Sequence, residues 1–252
     1  MDKIQLQAGK KVYFASDFHF GIPDYATSRI REEKICAWLD EIKTDAQQIY
    51  LMGDLFDSWM EYKKVVPKGN IRFLGKLAEL SDAGIDIIVF TGNHDLWMHG
   101  YFEQELSAKV FKTLQTIQIN DKIFHLGHGD GVCKKETSYL LLKNLLHNKV
   151  AQFIYRQVHP DLGLKLADYF SRMGPKHKYA DLKMKSEDEE FQLLYAKEII
   201  SKTYYDFIIF GHRHIPIVLK LNASATFVNL GDWISHYTYA QFDGEKLELK
   251  KY

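Results

Sequence analysis

Short apolar runs alternate along the chain with segments of helical periodicity. Four apolar runs predict buried strands, at 11–16, 48–52, 85–90 and 206–210. Apolar residues at helical spacing predict helices at 26–42 and 71–81. Residues 117–119 and 123–126 have the pattern of a hairpin, and 217–251 that of several antiparallel strands. This alternation predicts an α/β fold.

The predicted strands end in the same way, at a glycine or polar turn with side chains that bind metals. These side chains are Asp17, His19, Asp54, Asn93, His128, His212 and His214. In open α/β sheets, ligands bind beyond the carboxyl ends of the strands. The sequence therefore predicts one site that is assembled from several strand ends.

The residue types at these turns are those of a divalent-metal site. Asp17 and His19 are two residues apart, and in an extended chain both side chains would point the same way and reach one ion. The same reasoning applies to His212 and His214. Carboxylate and imidazole ligands without a thiolate suit Mn, Fe, Co, Ni or Zn. Asp54 can bridge two ions because a carboxylate has two oxygens.

A long helical stretch at about 133–202 separates the hairpin from the strand at 206–210. It contains the apolar run YLLLKNLL at 139–146, followed by basic residues that include Lys176 and Lys178. We predict a helical lid inserted over or beside the site. On helical periodicity alone, ordinary packing helices are the alternative.

The composition of the chain argues against several classes of protein. The chain of 252 residues is long enough for one large domain, and its 33 basic and 33 acidic residues cancel, which argues against binding to nucleic acid through a broad basic field. Two cysteines make a disulfide framework unexpected and fit a reducing compartment. We expect a cytoplasmic protein, since neither a signal peptide nor an apolar run of roughly 20 residues is present. No protein partner is predicted.

Five motifs occur in a fixed order: DFH at 17–19, GDLFD at 53–57, GNHD at 92–95, GHGD at 127–130 and GHRH at 211–214. This set resembles the calcineurin-like metallophosphoesterase superfamily over residues 17–232. The resemblance implies a two-sheet α/β sandwich flanked by helices, with a two-metal site at the strand ends. It implies that one metal is held by Asp17, His19, Asp54 and His214, and the other by Asp54, Asn93, His128 and His212.

The resemblance also implies the roles of three further residues. His94 would be the catalytic residue, stabilising charge on the reacting phosphorus centre or protonating the leaving group. Asp57 and Asp95 would orient histidine ligands. Two metal ions clamp phosphate oxygens and activate a water molecule, so the implied activity is hydrolysis of a phosphoester or pyrophosphate.

Within the superfamily, the segments at 14–21 and 228–233 resemble the UDP-2,3-diacylglucosamine hydrolases of lipid A biosynthesis. This implies cleavage of the substrate pyrophosphate to UMP and lipid X, dependence on Mn²⁺, and peripheral contact with the cytoplasmic face of the inner membrane. The lid would receive the acyl chains, with Arg156, His159 and Lys165 as candidate contacts to the sugar phosphate or nucleotide. His94 stands where the best-known proteobacterial members have arginine.

Two alternatives remain open at this point. The first is another phosphodiesterase or nucleotide-pyrophosphate hydrolase of the same superfamily, which would have an open site without an apolar lid. The second is a metal-bound scaffold protein without catalytic activity. Such a protein is expected to have lost ligands or the histidine of the GNH motif, and this chain has His94 and all of the implied ligands.

Overall fold

Two six-stranded sheets form the centre of the computed structural model, which describes residues 1–173, 184, 186 and 189–252. The strands are Asp2–Ile4 (β1), Lys11–Ala15 (β2), Ala46–Leu51 (β3), Asp86–Phe90 (β4), Lys109–Phe111 (β5), Gln115–Ile119 (β6), Lys122–Leu126 (β7), Phe207–Phe210 (β8), Pro216–Lys220 (β9), Thr226–Leu230 (β10), Thr238–Phe242 (β11) and Leu247–Lys251 (β12). The helices are Tyr25–Ile42 (α1), Ile71–Asp82 (α2), Tyr101–Leu106 (α3), Thr137–His147 (α4), Lys149–Tyr155 (α5), Pro160–Met173 (α6) and Phe191–Ile200 (α7).

Both sheets are mixed, and together they form the two-sheet sandwich that the resemblance implies. The first sheet has the order β1-β6-β7-β8-β10-β9, and the second has the order β12-β11-β2-β3-β4-β5. β2, β3, β4 and β5 run parallel, as do β7, β8 and β10. The predicted hairpin is present as β6 and β7, which pair antiparallel. The prediction of an α/β sandwich is therefore confirmed.

The continuous apolar runs arise because the central strands are covered on both faces. In β2, Val12 and Phe14 pack between the two sheets, whereas Tyr13 and Ala15 belong to the core on the helical side. This alternation follows from the two-residue period of a strand. The second sheet is thus fixed against both of its neighbours, and its strand ends are held in place.

Helix α1 covers the outer face of the second sheet. The Asp24 carboxylate accepts a hydrogen bond from the Thr27 amide at 2.9 Å, which caps the first turn of the helix. Trp38 and Leu39 are fully buried against the sheet. Replacing Trp38 with alanine would cost about 3–5 kcal/mol in the free energy of unfolding, because the cavity could not collapse fully.

The segment predicted as a lid forms helices α4, α5 and α6, which we call the cap. The cap rests on buried Met60, Leu96 and Trp97, and the Trp97 indole donates a hydrogen bond to the Leu146 carbonyl at 3.0 Å. Helix α7 lies inside the predicted insertion but packs on the first sheet through Leu193. Residues 174–183, 185, 187 and 188, with Lys176 and Lys178, lie outside the described residues.

Candidate metal centre

The predicted metal-binding side chains meet at one edge of the sandwich. Their turns follow β2, β3 and β4 of the second sheet and β7 and β8 of the first sheet. Three overlapping groups have ligand atoms within 4.8 Å of one another: Asp17, His19 and His214; His19, Asp54 and His94; and Asp54, His128 and His212. The structure therefore brings together side chains that are up to about 200 residues apart in sequence, as the strand-end argument requires.

The backbone at these turns is not extended, which corrects one step of the sequence argument. Left-handed φ angles occur at Asp17 (57°), His19 (44°), Asp54 (52°), His212 (68°) and His214 (55°). His212 and His214 consequently belong to different groups, whereas the extended geometry would place them on one ion. Each such residue costs on the order of 1 kcal/mol, and strain of this kind concentrates at functional sites.

Asp54 lies between the two halves of the cluster. Its Oδ2 atom is 3.5 Å from Nε2 of His19 and 3.2 Å from Nε2 of His128, while Oδ1 accepts a hydrogen bond from the His94 amide at 2.9 Å. A Cβ at Gly92 would overlap the Asp54 carboxylate, so glycine is needed there for close approach. Asp54 has the position expected of a bridging ligand.

The electrostatics of the cluster favour bound positive charge. Burial alone would raise the pKa of Asp17, but the His214 imidazole and a hydrogen bond with His19 lower it to about 2. Burial alone would lower the pKa of His19, but its bonds with carboxylates, first with Asp17, raise it to about 10. Burial opposes charge on Asp54 as well, yet nearby His128 keeps its pKa well below the usual value. The two carboxylates are therefore ionised at neutral pH.

Hydrogen bonds from outside the cluster set the orientation of its histidines. Nδ1 of His128 lies 2.9 Å from the Met52 carbonyl oxygen, which can only accept, so Nδ1 carries a proton and Nε2 is the nitrogen that faces Asp54. Nδ1 of His214 lies 3.2 Å from Oδ2 of buried Asp232. Such contacts fix both the ring and the tautomer of a metal ligand.

Asp57 and Asp95 act differently from each other. Oδ1 of Asp57 lies 3.5 Å from Nδ1 of His19 and 3.6 Å from Nδ1 of His94, which fits the predicted orienting role. Asp95 instead accepts hydrogen bonds from three backbone amides, those of Gly92 at 2.7 Å, Leu55 at 2.7 Å and Asp54 at 3.3 Å. Asp95 therefore joins the second and third motif loops through their backbone rather than through a histidine.

Asp232 is a residue of the site that the sequence argument did not assign. It follows Gly231 at the end of β10, and its Oδ1 accepts from the amides of Ile234, Ser235 and His236. The same strand, glycine, aspartate order occurs at Gly53-Asp54, and this repetition was the available signal.

Two buried atoms among the candidate ligands fit a bound cation. Among the described residues, Oδ1 of Asn93 and Nε2 of His128 have no hydrogen-bond partner. A buried polar atom without a partner is costly unless a bound ion or water satisfies it. Carboxylate, amide oxygen and imidazole together are a donor set for borderline divalent metals. The residues present therefore fit a divalent metal centre.

A cavity of about 510 Å³ joins the cluster to the cap. On one side it is lined by His128 and Asp130, and on the other by Leu140, Lys143 and His147 of α4. The Lys143 ammonium group lies 2.7 Å from Oδ2 of Asp130, so an ion pair connects cap and motif loop. Asp130, the last residue of the GHGD motif, thus contacts the cap.

The three candidate substrate contacts lie on the cap and are not among the residues that line this cavity. Arg156 directly follows α5, His159 precedes α6 and Lys165 lies within α6. Lys165 is exposed, as is the His159 side chain, and the cavity beside His128 is lined by none of the three. Their contact with substrate stays a prediction.

Comparison with known proteins defines the class. The sequence model of the calcineurin-like phosphoesterase family matches residues 10–216. The chain belongs to the calcineurin-like phosphoesterase family, and it is a metal-dependent hydrolase with a cluster of histidine and aspartate side chains that could hold metal ions. Within the described residues, no helix has the length and apolar character needed to cross a membrane.

Several proteins of similar sequence share one more specific name. The chain is 39% identical over 258 residues to a UDP-2,3-diacylglucosamine hydrolase of Porphyromonas gingivalis, covering 95% of this chain and 97% of that protein. Proteins of the same name from Pseudomonas fluorescens SBW25 and Ectopseudomonas mendocina are 27% and 28% identical. These cover 81% and 89% of this chain, and 82% and 93% of their own lengths.

Proposed function

We propose that this protein hydrolyses the pyrophosphate bond of UDP-2,3-diacylglucosamine, giving UMP and lipid X, with two bound divalent cations that are Mn²⁺. The observation that carries the proposal is the 39% identity to a hydrolase of that name over nearly the full length of both chains. One water molecule is consumed, and each phosphorus leaves as a phosphate monoester.

The two metal ions, when bound, would supply Lewis-acid stabilisation and an activated water. Asp17, His19, Asp54 and His214 would hold one ion, and Asp54, Asn93, His128 and His212 the other. The geometry supports this division because His212 and His214 fall in separate groups and Asp54 faces both.

We propose that His94 acts on the substrate rather than on the fold. Its Nδ1 is 2.9 Å from the Asp57 carbonyl oxygen, so Nδ1 carries a proton and Nε2 is the nitrogen that can exchange one. Its ring centroid lies 4.8 Å from that of His19, and 23% of its side chain is exposed. We assign His94 to charge stabilisation or protonation of the leaving oxygen.

The cavity suits an amphipathic, anionic substrate. Leu96, Leu114 and Leu140 give it apolar walls, and Lys112 adds positive charge beside the ion pair of Lys143 and Asp130. Acyl chains would continue onto the cap, which exposes large apolar side chains: Leu141, Leu142, Leu145, Val150, Phe153 and Ile154. Exposed patches of this kind mark lipid or membrane contact, so we propose a peripheral position at the cytoplasmic face of the inner membrane.

The test is turnover of purified, manganese-loaded protein on UDP-2,3-diacylglucosamine, with bis(p-nitrophenyl) phosphate as a generic diester. We expect UMP release that stops on addition of EDTA and returns with Mn²⁺. Cleavage of the generic diester without UMP release would keep the metal centre and discard the lipid substrate.

A further inference from the structure

Gln192 is a buried amide side chain at the start of α7, outside all five motifs. Only 4% of the residue is exposed. Its Nε2 donates hydrogen bonds to the carbonyl oxygens of Gly129 at 3.1 Å and Gly211 at 3.0 Å. Its Oε1 accepts a hydrogen bond from Nδ2 of Asn229 at 2.9 Å. Both hydrogens of the amide group are therefore used on backbone carbonyls of two different loops.

Asn229, on β10, completes the arrangement and is fully buried. Its Nδ2 also donates to the Gly211 carbonyl at 2.6 Å, and its Oδ1 accepts from the Gly231 amide at 3.1 Å. We call Gln192 and Asn229 the amide clamp. Every polar side-chain atom of the amide clamp has a partner, so each side chain has a single favourable orientation.

The loops joined by the amide clamp carry two candidate ligands of the same metal. Gly129 directly follows His128, and Gly211 directly precedes His212. Both histidines share a group with Asp54. Parallel pairing of β7 and β8 ends at Leu126 and Ile209, beyond which the Gly211 amide donates to the His128 carbonyl at 2.9 Å. The amide clamp continues the connection between the loops past the end of the strands.

Gly129 shows that the sequence makes room for this contact. It has a φ of +95°, and a Cβ there would overlap Nε2 of Gln192. A side chain at position 129 would therefore both strain the backbone and displace the amide. The glycine between His128 and Asp130 thus leaves room for the Gln192 amide and for Phe210, and it also permits the turn.

We propose that Gln192, supported by Asn229, is a positioning residue that sets the separation of His128 and His212 and so the affinity of the metal site they share. The inference rests on the proposed ligand set of that site and is independent of the lipid substrate. Partners that orient metal ligands typically change metal affinity by about 10–100-fold when removed, and we expect a loss in that range.

The test compares Mn²⁺ binding by Gln192→Met with the unaltered protein, using equilibrium dialysis followed by metal analysis. Methionine has a similar shape but cannot donate to the two carbonyls. We expect two bound ions in the unaltered protein. In the variant we expect one ion at unchanged affinity and the other weakened by about 10–100-fold, with loss of the spin-coupled manganese signal in electron paramagnetic resonance. Unchanged affinity at both sites would overturn the inference.

A matched control separates positioning from general destabilisation. Gln241 is a buried glutamine on β11 whose Nε2 donates to Glu248 at 3.3 Å, so Gln241→Met removes a buried amide far from the motif loops. We expect it to bind both ions normally. If Gln192 has only a structural role, both variants should have a lower unfolding midpoint in the metal-free state. Neither variant should then change the ratio of the Mn²⁺ affinities of the two sites.

Two further outcomes keep the inference testable. If Gln192→Met does not fold, Asn229→Asp removes the second donor to the Gly211 carbonyl, and the same selective weakening is expected. If the unaltered protein binds a single ion, the two-metal proposal fails. In that case weaker binding of that ion by Gln192→Met upholds the inference, and equal binding overturns it.

Discussion

The motif loops and the cap face the same cavity, but they are built in opposite ways. In the loops, charged and polar groups such as Asp17, Asp54 and His128 are buried and held by backbone hydrogen bonds. The cap exposes Leu141 (72%), Phe153 (66%) and Ile154 (62%) to solvent. A reaction centre needs fixed geometry, whereas recognition of flexible chains needs accessible apolar surface.

The comparison predicts that substitutions in the loops abolish hydrolysis, whereas substitutions in the cap alter only lipid recognition.

The largest effect is expected for Asp54→Asn, because the neutral amide removes the carboxylate that faces both halves of the cluster. We expect turnover to fall by roughly 10³-fold or more on any phosphoester, together with reduced Mn²⁺ content. Asp206→Asn is the control, since Asp206 is a buried carboxylate that precedes β8 at the opposite edge. Near-normal turnover in Asp54→Asn would remove Asp54 from the centre.

The second prediction concerns His94 and distinguishes residues of the loops that act in catalysis from those that bind metal. His94→Gln should lower kcat by about 10²–10³-fold, in the range of removing one stabilising donor, while both ions stay bound. His99→Gln is the control, because His99 is a half-buried histidine outside the three metal-binding groups. Loss of one ion in His94→Gln would make His94 a ligand, which its place in the group of His19 and Asp54 allows.

A smaller effect is expected in the cap. Leu145→Ser and Phe153→Ser remove exposed apolar area, so KM for UDP-2,3-diacylglucosamine should rise by about 3–10-fold, with generic diester cleavage unchanged. Ile30→Ser provides the comparison, since Ile30 is 67% exposed but lies on α1. Equal losses on the lipid and the generic diester would show that the cap supports the fold of the site rather than the lipid.

The last effect lies outside both regions and concerns stability rather than turnover. Burial lowers the pKa of His125 to about 4 from 6.5. Between these pH values the unfolded chain binds a proton at this residue and the folded protein does not. The free energy of unfolding should therefore fall as the pH falls, by up to about 1.4 kcal/mol per unit. His125→Gln should remove the contribution of this one proton to the pH dependence of the free energy of unfolding. The measurement is urea unfolding of both proteins at pH 4.5, 5.5 and 6.5. An unchanged slope would mean that His125 is protonated in the folded state.

The fold was predictable where burial extends over a whole element. β2, β3, β4 and β8 are covered on both faces, so their sequences are continuous apolar runs. The three-residue strands β1 and β5 and the six-residue helix α3 are too short to show a period, and they were not predicted. Their structure depends on neighbours that are distant in sequence, such as β6 beside β1.

The details of the site were likewise only partly predictable from the sequence. The motif side chains were identifiable because glycine, aspartate and histidine recur at strand ends, yet the left-handed backbone that separates His212 from His214 has no sequence signature. Gln192 and Asn229 were missed because each is a single polar residue in an otherwise apolar segment. Only the packing of α7 and β10 against the two glycine carbonyls gives them a role.

The most direct test of the account is anomalous diffraction at the manganese edge from crystals of the Mn²⁺-loaded protein. Two peaks are expected on either side of Asp54, one against Asp17, His19 and His214, and one against Asn93, His128 and His212. A single peak, or peaks away from these side chains, would contradict the two-metal centre on which the proposed hydrolysis depends.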